Sequence, residues 1–121
     1  MKDERKKLGT LGEKTARDYL KKQGYKILES NFRCPFGEID LIAKQKDCLV
    51  FVEVRTRRNL ELGTPEESVT LAKRQKLIKL AQFYLQKSPH PPSHWRIDVV
   101  AIEMGPNEKV NRIELIKNAV Y

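Results

Sequence analysis

The sequence predicts an α/β protein, a mixed β-sheet flanked by helices in the order α-β-β-β-α-β-β. Three observations predict it. Apolar residues recur at helical spacing near the start and again past the middle of the chain. Between them, GEIDLIAKQKDCLVFVEVRTRR reads as two strands joined by a tight polar turn. After a proline-rich break, WRIDVVAIE returns to strand character, followed by a GPNEK turn and a last strand over residues 111–117.

The elements follow in order. Thr10-Leu11-Gly12-Glu13 fits a capping box with Glu13 at the third helical position. Leu8, Leu11, Ala16, Tyr19 and Leu20 suit one face of that helix, and Gly24 suits its stop. Residues 25–33 alternate as a strand, and the hairpin comes next. Thr64-Pro65-Glu66-Glu67 starts a short helical piece with proline at its first position. Thr70 then caps a second helix running to about Lys87, with Leu77, Ile78, Ala81, Tyr84 and Leu85 on its apolar face.

The 121 residues suit one domain, 1–121, with no repeat or linker. Hydrophobic residues at 40% and charged residues at 33% fit a globular chain. Twenty-four Lys and Arg against sixteen Asp and Glu leave a net charge of +8, which favours polyanions such as DNA, RNA or an anionic membrane surface. No apolar run approaches the roughly 20 residues of a bilayer span. MKDERKKLGT lacks the apolar core of a signal peptide, so a cytoplasmic location is expected. Cys34 and Cys48 lack metal-site spacing and read as reduced thiols. His90 and His94 fall in and beside SPHPPSH, where prolines forbid a shared helix face.

The hairpin poses the chemical question. Each of its strands looks buried, yet each carries an acid, Asp40 and Glu53. With a turn centred on Lys46-Asp47 the two face each other, their Cβ atoms roughly 4.5–5.5 Å apart. Like charges so placed repel. A shared proton, an arginine such as Arg55 or Arg33, or a divalent cation would each stabilise them. A hard cation such as Mg²⁺ takes one or two carboxylates, water and substrate phosphate. Spacing alone leaves both a metal site and an Arg55-bridged structural pair open. Glu38 shares the Asp40 face near the strand edge and is at most a reserve ligand. Asp98 lies on the face opposite Trp95, Ile97 and Val99, and is expected to pair with an arginine or a helix end. Trp95 is expected in the core.

Ile39-Asp40 followed by Glu53-Val54-Arg55 resembles the PD-(D/E)xK nuclease pattern. Over nearly its whole length the chain resembles the YraN family of bacterial proteins, on GEKTARDYLKKQGYKILESNFR, GEIDLIA, FVEVRTR, SVTLAKRQKL and RIDVVAI. That family is similar in fold to archaeal Holliday-junction resolvases and type II restriction endonucleases. The resemblance implies a restriction-endonuclease-like sheet and a Mg²⁺- or Mn²⁺-dependent endonuclease acting on DNA, branched or structured DNA above all. It implies metal binding by Asp40, Glu53, the Val54 main-chain carbonyl and Glu13 of the first helix, while Glu13 as a helix cap is the competing role. Arg55 falls where many such nucleases carry a catalytic lysine, and Ile39 where they carry a proline. Arginine is effectively always charged, so Arg55 would orient water or stabilise charge on phosphate and not act as a base.

Lys73, Arg74, Lys76 and Lys79 crowd the second helix, which ordinarily marks a solvated face. The resemblance implies phosphate contacts from Lys73, Gln75 and Lys76, with one of these lysines as a stand-in for the missing catalytic one, and backbone contacts from Arg57 and Arg58. A homodimer is a further option, since resolvases generally work as dimers, and no membrane partner is expected. Two other classes stay open: a nucleic-acid-binding protein that does not cut, and a subunit needing a partner for activity.

Overall fold

The computed structural model describes residues 2–120. The order is α1 (Lys2–Lys22), β1 (Lys26–Cys34), β2 (Gly37–Gln45), β3 (Cys48–Arg57), a 3-10 turn (Glu66–Ser68), α2 (Leu71–Lys87), β4 (His94–Met104), a second 3-10 turn (Pro106–Glu108) and β5 (Val110–Val120). The strands form one sheet in the order β1-β2-β3-β4-β5. Only β3 and β4 pair in parallel, and α2 makes the crossover between them. This is the predicted mixed sheet and the predicted element order.

The two helices lie on opposite faces of the sheet. Ala16 and Leu20 of α1 pack with Leu41, Ala43, Val50, Val52, Val100 and Ile102. Leu77, Leu80 and Ala81 of α2 pack with Ile39, Ile42, Phe51, Ile97 and Val99. The central strand β3 is therefore covered on both sides, which is why its sequence runs apolar from Leu49 to Val52 instead of alternating. No helix among the described residues is long and apolar enough to cross a membrane.

Thr70 caps α2 as expected, its side chain accepting from the Lys73 N–H. The capping box at Thr10 is a correction. The helix α1 begins at Lys2, so Thr10 and Glu13 are interior positions and Glu13 caps nothing. The first turns were hidden by their charge, since residues 2–7 carry no apolar face that periodicity detects. Gly24, at φ +92°, ends the helix as predicted. Trp95 is a second correction. It is 39% exposed and rests edge-on against Phe51, ring centroids 5.9 Å apart, at the sheet's rim.

Two glycines of α1 make opposite demands. Gly12 touches β3, and a Cβ there would strike Thr56 Oγ1 and come within 3.1 Å of the Thr56 Cβ. Gly9 has nothing within 4 Å of its would-be Cβ. Gly9→Ala is expected to raise stability by about 0.5–1 kcal/mol through helix propensity. Gly12→Ala is expected to lower it by about 1–3 kcal/mol, because α1 must shift off the sheet. Urea melts of the two variants give opposite signs if α1 packs as described.

Candidate active site

The hairpin register is the predicted one. Gln45 faces Cys48 and Leu41 faces Val52. The β2–β3 ladder ends there, one pair short of Asp40 and Glu53. Beyond it β2 stays paired with β1 as far as Gly37, and β3 stays paired with β4 as far as Arg57. The two central strands thus fork at the acids. Ile39 and Ile42 both join the cluster under α2, so the two-residue alternation of β2 breaks at Asp40.

The fork frees backbone groups that a ladder would satisfy. Asp40 fills the gap, its Oδ2 accepting the Val54 N–H at 2.8 Å. A strand residue presents its N–H and C=O on the same edge, so the Val54 carbonyl also borders the fork. Glu53 is 4% exposed. One of its oxygens, Oε2, takes both Arg55 Nη2 at 2.9 Å and Lys73 Nζ at 3.3 Å. Lys73 comes from the first turn of α2, on the face of the sheet that Glu53 enters. The Nε of Arg55 is buried with no hydrogen-bond partner among the described residues.

Burial pushes the Asp40 carboxyl up to about 8, with the Glu53 charge and a hydrogen bond to Glu53 adding to it. The Val54 N–H pulls the other way, and the Glu13 charge adds a little. Two of the three predicted ways of tolerating the acid pair therefore operate together. Asp40 holds a proton in neutral solution, and Glu53 is bridged by cations.

Asp40, Val54, Glu13, Arg55, Arg57 and Arg58 all line one open cleft of about 1080 Å³, bounded by α1 and the ends of β1 to β3. Arg5, Arg17 and Arg33 line it as well. Arg33 pairs with Glu38 at 3.2 Å and does not bridge the acids. Glu13 Oε1 accepts from Asn31 at 2.8 Å and meets Arg17 at 3.4 Å. Among the described residues no three acids, histidines or cysteines converge as a ready cation cage, and Glu13 would have to turn from these partners to join one. Lys76 lies against Gly37 at the head of β2, the Gly37 Cβ position falling 3.0 Å from its Cε. Gln75 is exposed and makes no hydrogen bond among the described residues.

Sequence reasoning missed Asn31. It sits inside β1 at φ +54°, next to a register shift between Ile27 and Glu29, and it orients Glu13. An asparagine within a strand, where it is disfavoured, was the available signal. Lys73 was nominated for phosphate, and its contact with Glu53 depends on the packing of α2. Asp98, fully buried, is held as expected by an arginine. It binds Arg96 Nε at 3.0 Å, the Asn118 N–H at 2.9 Å and the Tyr25 hydroxyl at 3.4 Å. Every partner is accounted for, so Asp98 is a structural acid.

A mixed sheet whose central strands part over a buried acid pair, next to an arginine-lined cleft, defines a class of α/β protein with its site at a strand fork. The chain belongs to the Uncharacterised protein family UPF0102, whose model matches residues 12–102. This is the YraN-type family that the motifs point to. It is 44% identical over 115 residues to a UPF0102 protein of Caldicellulosiruptor saccharolyticus, covering 95% of this chain and 98% of that one. It is 47% identical over 113 residues to one of Caldanaerobacter subterraneus subsp. tengcongensis, covering 90% and 93%. A Clostridium botulinum relative is 44% identical over 115 residues, covering 94% of each.

An acid that stays protonated when folded works against the fold. Unfolded, Asp40 ionises near 3.8, and folded near 8. Between those values the unfolded chain binds fewer protons, so stability falls as pH rises from about 4 to about 8. Asn mimics the protonated acid, since its oxygen can accept from Val54 and its amide can donate to Glu53. Asp40→Asn is therefore expected to raise stability by about 1–3 kcal/mol at pH 7.5 in chelator, with the gain vanishing near pH 4. Chemical melts at the two pH values check it. A variant less stable than the wild type at pH 7.5 refutes the protonated Asp40.

Proposed function

We propose that the protein is a Mg²⁺- or Mn²⁺-dependent endonuclease acting on DNA, built as one PD-(D/E)xK nuclease-like domain. The observation that carries this reading is the acid pair at the fork. Asp40 and Glu53 are buried together at a cost, and the buried Arg55 Nε beside them has no acceptor. Strained electrostatics and an orphaned donor in one cleft mark a site whose ligand completes it.

The donor set fits the metal. Asp40 and Glu53 would hold it, with the Val54 carbonyl at the fork as a neutral oxygen and water or phosphate for the rest. When bound, it would lower the pKa of a water and stabilise negative charge on the phosphate. Asp40 would give up its proton to hold the metal, and Glu53 would exchange its contacts with Arg55 and Lys73. Arg55, which lines the cleft, would donate to a phosphate oxygen from a guanidinium that keeps its charge. Lys73 adds a second cation at the same carboxylate from α2. As a lysine beside Glu53, it would take the place of the lysine that the β3 motif lacks. Arg57 and Arg58 extend positive charge along the cleft, and Lys73, Gln75 and Lys76 of α2, outside its lining, would meet the backbone beyond the acids.

One observation favours a second reading. The pair is already neutralised by a proton and two cations, so the protein can bind nucleic acid at this face with no metal and no cleavage. Another favours a partner or a second copy. Leu60 and Leu62 stand exposed in the loop after β3, Leu62 at 83%, and Leu71 is exposed at the start of α2.

Calorimetric titration of Mg²⁺ and Mn²⁺, with a DNA duplex present, separates these readings. Wild type is expected to bind metal and to nick branched DNA. Asp40→Asn/Glu53→Gln is expected to lose both, with cleavage falling at least about 100-fold. Equal cleavage by the double variant exposes a contaminant. Metal-independent DNA binding that the double variant keeps, with no metal uptake by either protein, moves the assignment to the non-cutting binder.

A further inference from the structure

The helix α2 carries a second feature that the acid pair does not use. Its seventeen residues contain seven basic or amide-bearing side chains on exposed positions and not one acid. Glu–Lys pairs commonly support a solvated helix face, and this helix has none. Lys76, Lys79 and Lys87 have no carboxylate partner among the described residues, although the chain holds sixteen acids. Two of the three lie over aromatic rings instead. Lys79 Nζ lies 4.7 Å over the ring of Phe36, and Lys87 Nζ lies 4.7 Å over the ring of Phe83. The two rings meet edge to face, 5.4 Å between centroids at 74°. Phe36, in the β1–β2 turn, is 44% exposed, and Phe83 is partly buried.

Lys73, Lys76, Lys79, Phe83 and Lys87 follow one another at steps of three and four residues, so they form one stripe. It begins at Glu53, where Lys73 makes its contact, and runs about 21 Å along the helix. Phe36 joins it from the turn next to Gly37, over which Lys76 lies. Ammonium groups spaced along a line, with a half-exposed and a partly buried ring among them, match a single strand of nucleic acid. The phosphates meet the lysines, and the unpaired bases stack on the rings. A duplex offers no free base face to such rings. The arginine cleft on the other side of the acids carries no exposed ring among its lining residues.

We propose that the α2 stripe is a track for a single-stranded arm of the DNA substrate, leading from the acid pair past Lys76 to Phe36 and Phe83. The duplex portion lies in the arginine cleft, and the acid pair stands where double strand gives way to single. This deepens the endonuclease reading and rests on it for the place of the scissile phosphate. The substrate class it names is DNA with a junction between paired and unpaired strands.

The test is fluorescence anisotropy of the full chain in chelator, so that binding is read without cleavage. The probes are a blunt duplex and the same duplex with a single-stranded oligothymidine arm. The wild type is expected to bind the armed duplex more tightly. Phe36→Ala is expected to weaken the armed duplex about tenfold and to leave the blunt one unchanged. Lys79→Gln/Lys87→Gln, which leaves the core intact, is expected to reduce the salt slope for the armed duplex by about 1.4. Equal wild-type affinity for both probes overturns the track, as does an equal loss on both in these variants. A dimer that Phe36→Ala dissociates in sedimentation also overturns it, because the rings then face a second copy. Arm preference retained in a protein that takes up no metal leaves the track standing and rejects the nuclease assignment alone.

Discussion

The hydrogen bond from the Val54 N–H to Asp40 is the contact on which the site depends. Two antiparallel strands that part leave a row of backbone donors and acceptors unpaired, and buried ones cannot stay so. A carboxylate can accept such a donor and still offer a second oxygen. Asp40 thus closes the fork and supplies the site in the same act. The cost falls on its charge. Enclosed by the sheet and next to Glu53, it keeps a proton at a pH where an ordinary aspartate has lost it.

Glu53 shows the complementary solution. It is the more deeply buried of the two, and it is surrounded by cations from two elements, Arg55 on its own strand and Lys73 on α2. The Asp98 cluster makes a useful contrast. That acid is buried more fully still, yet Arg96, Tyr25 and the Asn118 backbone satisfy it, and no neighbouring acid presses on it. Nearer the surface, a partly exposed cluster where Arg112 meets Glu66, Glu103 and Glu114 ties the first 3-10 turn to β5. Buried charge in this protein is therefore of two kinds. The structural kind has its partners, and the fork retains a shared proton and an arginine nitrogen with no acceptor.

The surface around the fork is divided by residue type. Arginines line the cleft beneath α1, while lysines and phenylalanines follow α2. Arginine's planar fork suits paired contacts with fixed phosphates, and lysine over a ring suits a more pliable strand. Asp40 lines the first surface, and Glu53, which binds Lys73, borders the second.

Most of the fold and part of the site were legible along the chain. The period-two pattern and the Lys46-Asp47 turn determined the hairpin register, since a one-residue slip would have turned Ile42 and Phe51 out of the core. Thr70 and Gly24 marked helix ends because capping and positive φ are local effects. The start of α1 was not legible, since its first turns are held by backbone hydrogen bonds and carry no apolar signal. The sequence by itself determined the two acids, their alignment, the basic excess and the family. Only the tertiary structure decided that the strands part at Asp40, that Asn31 and Arg17 hold Glu13 and that Lys73 reaches Glu53. Those depend on where β1 and α2 pack against the sheet, and contacts between elements distant in sequence leave no period or spacing to read.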